Sequence, residues 1–167
     1  MNLFDLTGKK AIVTGAGSGL GNSIATGLAE AGAEVAIIDL MPDVAEVAAR
    51  MSEGGKKFYG VRANLMDRSD LPRAFDECVR LLGGLDILVN NAGMQVRGKA
   101  EEIPLDGWDR LIELNVTAVF EMSQLAARQM LPQGYGKIIN VASMLSFFGG
   151  LCRFQGCGRT ADQGVFQ

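Results

Sequence analysis

The chain has 167 residues, 48% of them apolar, few aromatics and a formal charge of -3: enough apolar material for one globular α/β domain and too little chain for two. Mild acidity without a long like-charge block leaves no electrostatic footprint for nucleic acid, and no apolar run nears the roughly 20 residues that span a bilayer. The absence of histidine excludes Ser-His-Asp hydrolysis, His-x-x-x-His zinc sites and histidine acid/base pairs.

Taken in order, the segment Lys10 to Thr14 (KAIVT) reads as a short buried strand, followed by a glycine-rich turn and a helical pattern from about Leu20 to Ala31. Gly32 closes that helix, and EVAII (Glu34 to Ile38) forms a second strand ending at Asp39. Pro42 suits the first turn of the next helix, which runs through VAEVAARM to the Gly54-Gly55 break. A third strand, KFYGVRA, leads to a helix over Leu71 to Leu82, and LDILVN supplies a fourth strand ending at Asn90. One long amphipathic stretch then occupies Pro104 to Met130, and GKIINVAS reads as a fifth strand. Alternating strands and helices predict an α/β fold with a parallel, doubly wound sheet.

Cys78, Cys152 and Cys157 lack Cys-x-x-Cys spacing and read as reduced thiols, so no disulfide framework and no metal site is expected. The N-terminus MNLFDLTGKK lacks the basic segment, apolar core and cleavage site of a secretory signal. The expectation is a cytoplasmic protein that handles a small molecule, with no membrane or nucleic-acid partner.

The turn after the first strand, Thr14-Gly15-Ala16-Gly17-Ser18-Gly19-Leu20-Gly21, fits T-G-x-x-x-G-x-G. Residues without Cβ let a backbone turn tightly and approach a pyrophosphate, which then sits against the N-terminus of the following helix. Asp39 ends the second strand 18 residues beyond Gly21, where a Rossmann-type site places a carboxylate on the adenosine ribose hydroxyls. Such a carboxylate repels a 2′-phosphate, and neither Ser18 nor Leu40 brings a positive charge, so NAD is expected in preference to NADP. A solvated helix cap is the alternative role for Asp39.

TGAGSGLG, then Asn90-Asn91-Ala92-Gly93 after the fourth strand, then Asn115 and Ser143, together resemble the short-chain dehydrogenase/reductase family over residues 1 to about 151. The resemblance implies a Rossmann-type three-layer α/β/α fold, incomplete at its C-terminal edge. It implies a cofactor site on Gly15, Ser18, Gly19, Leu20, Gly21, Asp39, Asn64, Leu65, Asn91, Ala92 and Gly93. Asn64-Leu65 stands where the family has Asp and an apolar residue near the adenine, and an amide oxygen also accepts from the adenine amino group. Ser143 would bond the substrate oxygen and Asn115 would hold a water in a proton relay. The alternatives are a strand-end hydroxyl satisfying backbone and a buried structural amide.

Arg97 and the segment GKIINVASMLSFFGG are similar to sugar-acid dehydrogenases acting on 2-deoxygluconate or 2-dehydro-3-deoxygluconate, and Arg97 suits a bidentate pair with a substrate carboxylate. A solvated loop arginine is the alternative. The family's acid/base tyrosine and its lysine belong thirteen residues after the serine and four further on, where Gly156 and Thr160 stand. Family members continue past this chain's end with two more strands, the helices of their homo-oligomer interface and a substrate lid. Residues 152–167 depart from the family pattern as an irregular tail, and the composition change at Cys152 suggests a frameshift or truncated gene. Three readings stay open: a sugar-acid oxidoreductase by lineage, a dinucleotide-binding remnant without catalysis, and an unstable fragment. Reduction of a 3-oxoacyl thioester is the alternative chemistry.

Overall fold

The computed structural model describes residues 4–96, 98 and 100–142. Its strands are β1 (Lys10–Thr14), β2 (Glu34–Asp39), β3 (Phe58–Arg62), β4 (Ile87–Asn90) and β5 (Lys137–Asn140). Its α-helices are α1 (Gly19–Glu30), α2 (Val44–Met51), α3 (Asp70–Leu82), α4 (Leu105–Ile112) and α5 (Ala118–Met130). The strands form one sheet in the order β3-β2-β1-β4-β5, every pairing parallel. The order reverses between β1 and β4, so the chain crosses over there and opens a crevice beyond the strand C-termini.

Side-chain alternation sorts each strand between two layers. Ile12, Ile38, Val61 and Leu88 point toward α3 and α5, where they pack with Leu71, Phe75 and Met122. Val13, Val35, Ile37 and Val89 point the other way, onto α1 and α2 through Ala25, Ala29, Val44 and Val47. Both faces are covered, which is why β1 and β2 read as continuous apolar runs. Each fully buried aliphatic side chain contributes roughly 1.5–3 kcal/mol. Helix α3 stops at Gly83, whose left-handed backbone (φ 70) lets its N–H return to the Val79 carbonyl. Cys78 on α3 is fully buried, and that burial pushes its thiol up to about 12, leaving it protonated and inert.

Three elements differ from expectation. Pro42 lies in the turn before α2, and Asp43 is the residue flanking that helix. β5 stops at Asn140, paired with Asn90 at the end of β4, so the expected continuation to Ser143 is not strand through Val141 and Ala142. The long stretch before β5 is two helices joined by a wide π turn, Glu113–Thr117, instead of one. Its extra residue keeps Leu111, Ala118 and Met122 buried while Asn115 faces the loop after β4. Among the described residues no helix is long and apolar enough to cross a membrane. The expected irregular tail, 152–167, lies outside the described residues.

Neighbouring strands β4 and β5 differ sharply: Leu88 on β4 is 0% exposed, whereas Ile139 on the outer strand β5 is 48% exposed. Leu88→Ala is expected to cost about 2–5 kcal/mol in urea unfolding, and Ile139→Ala less than about 1 kcal/mol. Equal losses would contradict the placement of the core.

Candidate functional site

Strand β1 ends in a buried hydroxyl, unusual in an otherwise apolar segment. Thr14 Oγ1 accepts the backbone N–H groups of both Asn91 and Ala92 at 3.0 Å. Asn91 answers from β4: its Nδ2 donates to the carbonyls of Thr14 and Gly15, each at 3.0 Å. Four bonds thus lock the start of the glycine turn to the end of β4, across the point where the strand order reverses. They satisfy polar groups that would otherwise be stranded between strand ends.

Glycine is required where these pieces touch. Gly15 has φ 63, and a Cβ there would lie 2.8 Å from Ala92 Cα. A Cβ on Gly21 would collide with the Gly15 carbonyl oxygen and Asn91 Nδ2, so Gly21 is the seat of α1 under the turn. Ser18 precedes α1 in extended conformation, exposed and with no side-chain cap bond. Gly19 and Leu20 are exposed beside it, leaving the first-turn N–H groups of α1 facing the crevice mouth.

Asp39 stands at the rim. Its Oδ2 accepts the Gly17 N–H at 2.8 Å and its Oδ1 the Met41 N–H at 3.1 Å. A Cβ on Gly17 would sit 2.9 Å from the Asp39 carboxylate, so that bond needs glycine. The carboxylate is therefore oriented by backbone rather than capping a helix, and each oxygen keeps a lone pair for an outside donor. Beyond it lies a cleft of about 290 Å³ lined by Gly15, Asp39, Asn64, Leu65, Ala92 and Leu114 among others.

The far wall is held by a second carboxylate. Asn64 N–H donates to Asp70 Oδ2 at 2.8 Å, and Asn64 Oδ1 accepts Met66 N–H at 3.1 Å. The Asn64 amide and then the Arg73 guanidinium hold the Asp70 carboxyl below its ordinary value of 3.8. Asn115, in the π turn, brackets Met94: Oδ1 accepts its N–H and Nδ2 donates to its carbonyl, both at 2.9 Å. One amide proton and one lone pair of Asn115 remain for a water.

The structure thus gathers Gly15, Asp39, Asn64, Leu65, Asn91, Ala92 and Gly93 around one cleft. Ser18, Gly19 and Leu20 stand at the start of α1, beside the turn that Gly15 opens. Asn115 stands behind the Met94 loop. Ser143 and Arg97 lie outside the described residues. Sequence reasoning missed Thr14 and Gly17, although a lone hydroxyl closing the apolar KAIVT and a fourth glycine beyond the three of the turn pattern were the available signals. A second hollow, about 460 Å³ and lined by Met130, Leu131, Tyr135 and Ile138, is apolar. It lies at the strand N-termini, where the Tyr135 ring sits 4.0 Å beneath Lys9 Nζ, away from the crevice.

A family model described as short chain dehydrogenase matches residues 9–154. The chain is 42% identical over 152 residues to a 2-dehydro-3-deoxy-D-gluconate 5-dehydrogenase of Dickeya dadantii (strain 3937), covering 90% of this chain and 60% of that protein. It is 36% identical over 149 residues to the 5-keto-D-gluconate 5-reductase of Escherichia coli (strain K12), covering 89% of this chain and 59% of that protein. Among solved structures, one assigned as an NAD(P)-dependent gluconate 5-dehydrogenase from Beutenbergia cavernae, with NADP bound at low occupancy, superposes with a TM-score of 0.82 and 41% identity. That match covers 88% of this chain and 59% of the other. A short-chain type dehydrogenase/reductase from Mycobacterium marinum gives 0.83 and 38% identity, over 89% of this chain and 61% of the other. This chain spans about 60% of the length of the curated relatives named here.

Thr14→Val leaves two backbone N–H groups without an acceptor and is expected to cost about 2–4 kcal/mol in denaturant unfolding, while Thr14→Ser costs less than about 1 kcal/mol. The lowered Asp70 value means its stabilisation is fully present above 3.8 and is lost as pH falls through the folded value. Asp70→Ala is therefore expected to cost about 1 kcal/mol at about pH 6 and progressively less as pH falls below 3.8, measured as the stability difference from the parent chain. A pH-independent difference would contradict the charge-based anchor.

Proposed function

The chain belongs to the short-chain dehydrogenase family, and from that premise we propose that its cleft holds the adenosine half of a nicotinamide dinucleotide, NAD in preference to NADP. The oriented Asp39 carboxylate carries the reading: two backbone N–H groups aim it over the cleft, and its remaining lone pairs suit two vicinal ribose hydroxyls. Asn64 Oδ1 keeps a lone pair for the adenine amino group, and Leu65 and Ala92 supply apolar walls. The Gly15–Gly21 turn and the N–H groups at the start of α1 suit the pyrophosphate. A missing Cβ at Gly15 and Gly17 keeps this cradle open, so the residues present fit the group. When bound, a nicotinamide dinucleotide supplies hydride transfer.

The lineage reaction we propose interconverts a secondary alcohol and a ketone on a gluconate-type sugar acid. Two relatives that share 36–42% identity are named for such substrates, which favours this chemistry over thioester reduction. Within it, Ser143 bonds the substrate oxygen, Arg97 pairs with the carboxylate, and Asn115 keeps the Met94 segment in place while holding a relay water. For the chain as it stands a second reading has its own support. Gly156 and Thr160 occupy the positions of the family's proton donor and its lysine, so dinucleotide binding outlasts turnover. NADP in the Beutenbergia cavernae structure makes the choice of dinucleotide a matter for measurement.

Titration of the purified chain with NADH, followed by fluorescence enhancement, is expected to saturate, with Asp39→Ala weakening binding about tenfold through loss of charge-assisted bonds to the ribose. A parallel assay with gluconate-type acids and NAD is expected to show no turnover. Turnover would reveal a proton donor outside the family position, and absence of saturable binding would overturn the proposal.

A further inference from the structure

We infer that Arg62 sets the tolerance of this site for a 2′-phosphorylated dinucleotide, its guanidinium offering the phosphate the positive partner that Asp39 denies it. The inference rests on the dinucleotide reading above and adds a specificity residue to it.

Arg62 is the last residue of β3 and the register partner of Asp39 at the end of β2. Neighbouring strands lie about 4.8 Å apart, so the guanidinium stem rises beside the carboxylate although 23 residues separate them in the chain. The side chain is exposed, and its Nε donates to the carbonyl of Leu40 at 3.3 Å, holding the charged head against a residue that lines the cleft together with Asp39. Among the described residues this is its side-chain bond, and no carboxylate pairs with it.

Arg73 lies against the same strand, donating to the Arg62 carbonyl at 2.8 Å, but Asp70 and Glu77 neutralise it at 2.7 Å each. Arg62 keeps both terminal nitrogens for a ligand. A guanidinium presents a fork that matches phosphate oxygens, and its exposed stem rotates without unfolding anything. Asp39 is fixed by Gly17 and Met41 and cannot withdraw cheaply, so the two groups divide the work: Asp39 favours the free hydroxyl, and Arg62 limits the penalty for a phosphate.

The test compares NADH and NADPH binding by fluorescence titration in the parent chain, Arg62→Ala and Arg62→Lys. The parent is expected to bind NADPH within about tenfold of NADH. Arg62→Ala is expected to weaken NADPH by about tenfold or more and NADH by less than about twofold, with Arg62→Lys recovering part of the loss because the charge remains. Equal weakening of both dinucleotides, or unchanged NADPH affinity in Arg62→Ala, would overturn the inference alone. Absence of binding by either dinucleotide in the parent chain would overturn the dinucleotide reading and the inference with it.

Discussion

Everything at the crevice hangs on a polar junction between two strand ends. Four hydrogen bonds cross the β1–β4 boundary, joining Thr14 and Gly15 to Asn91 and Ala92, and the glycine turn begins one residue after Thr14. The junction does two things that neither strand could do alone. It satisfies backbone groups at the seam where, among the described strands, neighbours in the sheet are not consecutive in the chain, and it fixes where Gly15 leaves the sheet plane. Once that exit is fixed, Gly21 can seat α1 against the Gly15 carbonyl, and Gly17 can reach Asp39. The cleft is therefore built outward from Thr14, through glycines whose missing side chains are the spaces the neighbouring groups occupy.

Much of this was legible in the sequence, for identifiable reasons. The apolar runs in β1 and β2 are unbroken because helices cover both faces, and the parallel α/β sheet follows from that pattern. Asp39, Asn91 and the glycine cluster were readable because each combines a strand end with a residue type that has few structural uses there. The π turn at Glu113–Thr117 was not legible, since a 3.6-residue period tolerates one extra residue without losing its apolar face. Thr14 was overlooked as part of a strand, and its importance lies in partners 77 and 78 residues away. Arg62 was invisible for the same reason: only strand register brings it beside Asp39.

The two ends of the sheet have different characters. At the strand C-termini, the glycine turn and the oriented Asp39 carboxylate meet at a cleft with apolar walls. At the N-termini, Lys9, Lys137 and Tyr135 stack beside an apolar hollow with no such convergence. Along the outer edge, β5 is exposed throughout, and beyond the backbone ladder Asn140 ties it inward by accepting from Asn90, which also donates to Ser123. Oriented polar groups and packing are thus concentrated on the β1–β4 side, where the junction lies.

The most direct measurement is a backbone amide NMR titration of the chain with NADH. Saturable shifts are expected at Gly15, Gly17, Gly19, Met41, Asn64 and Ala92, with Tyr135, Ile138 and Ile139 unmoved. Shifts confined to the Tyr135 hollow, or none that saturate, would contradict a dinucleotide cleft organised around Thr14 and Asp39.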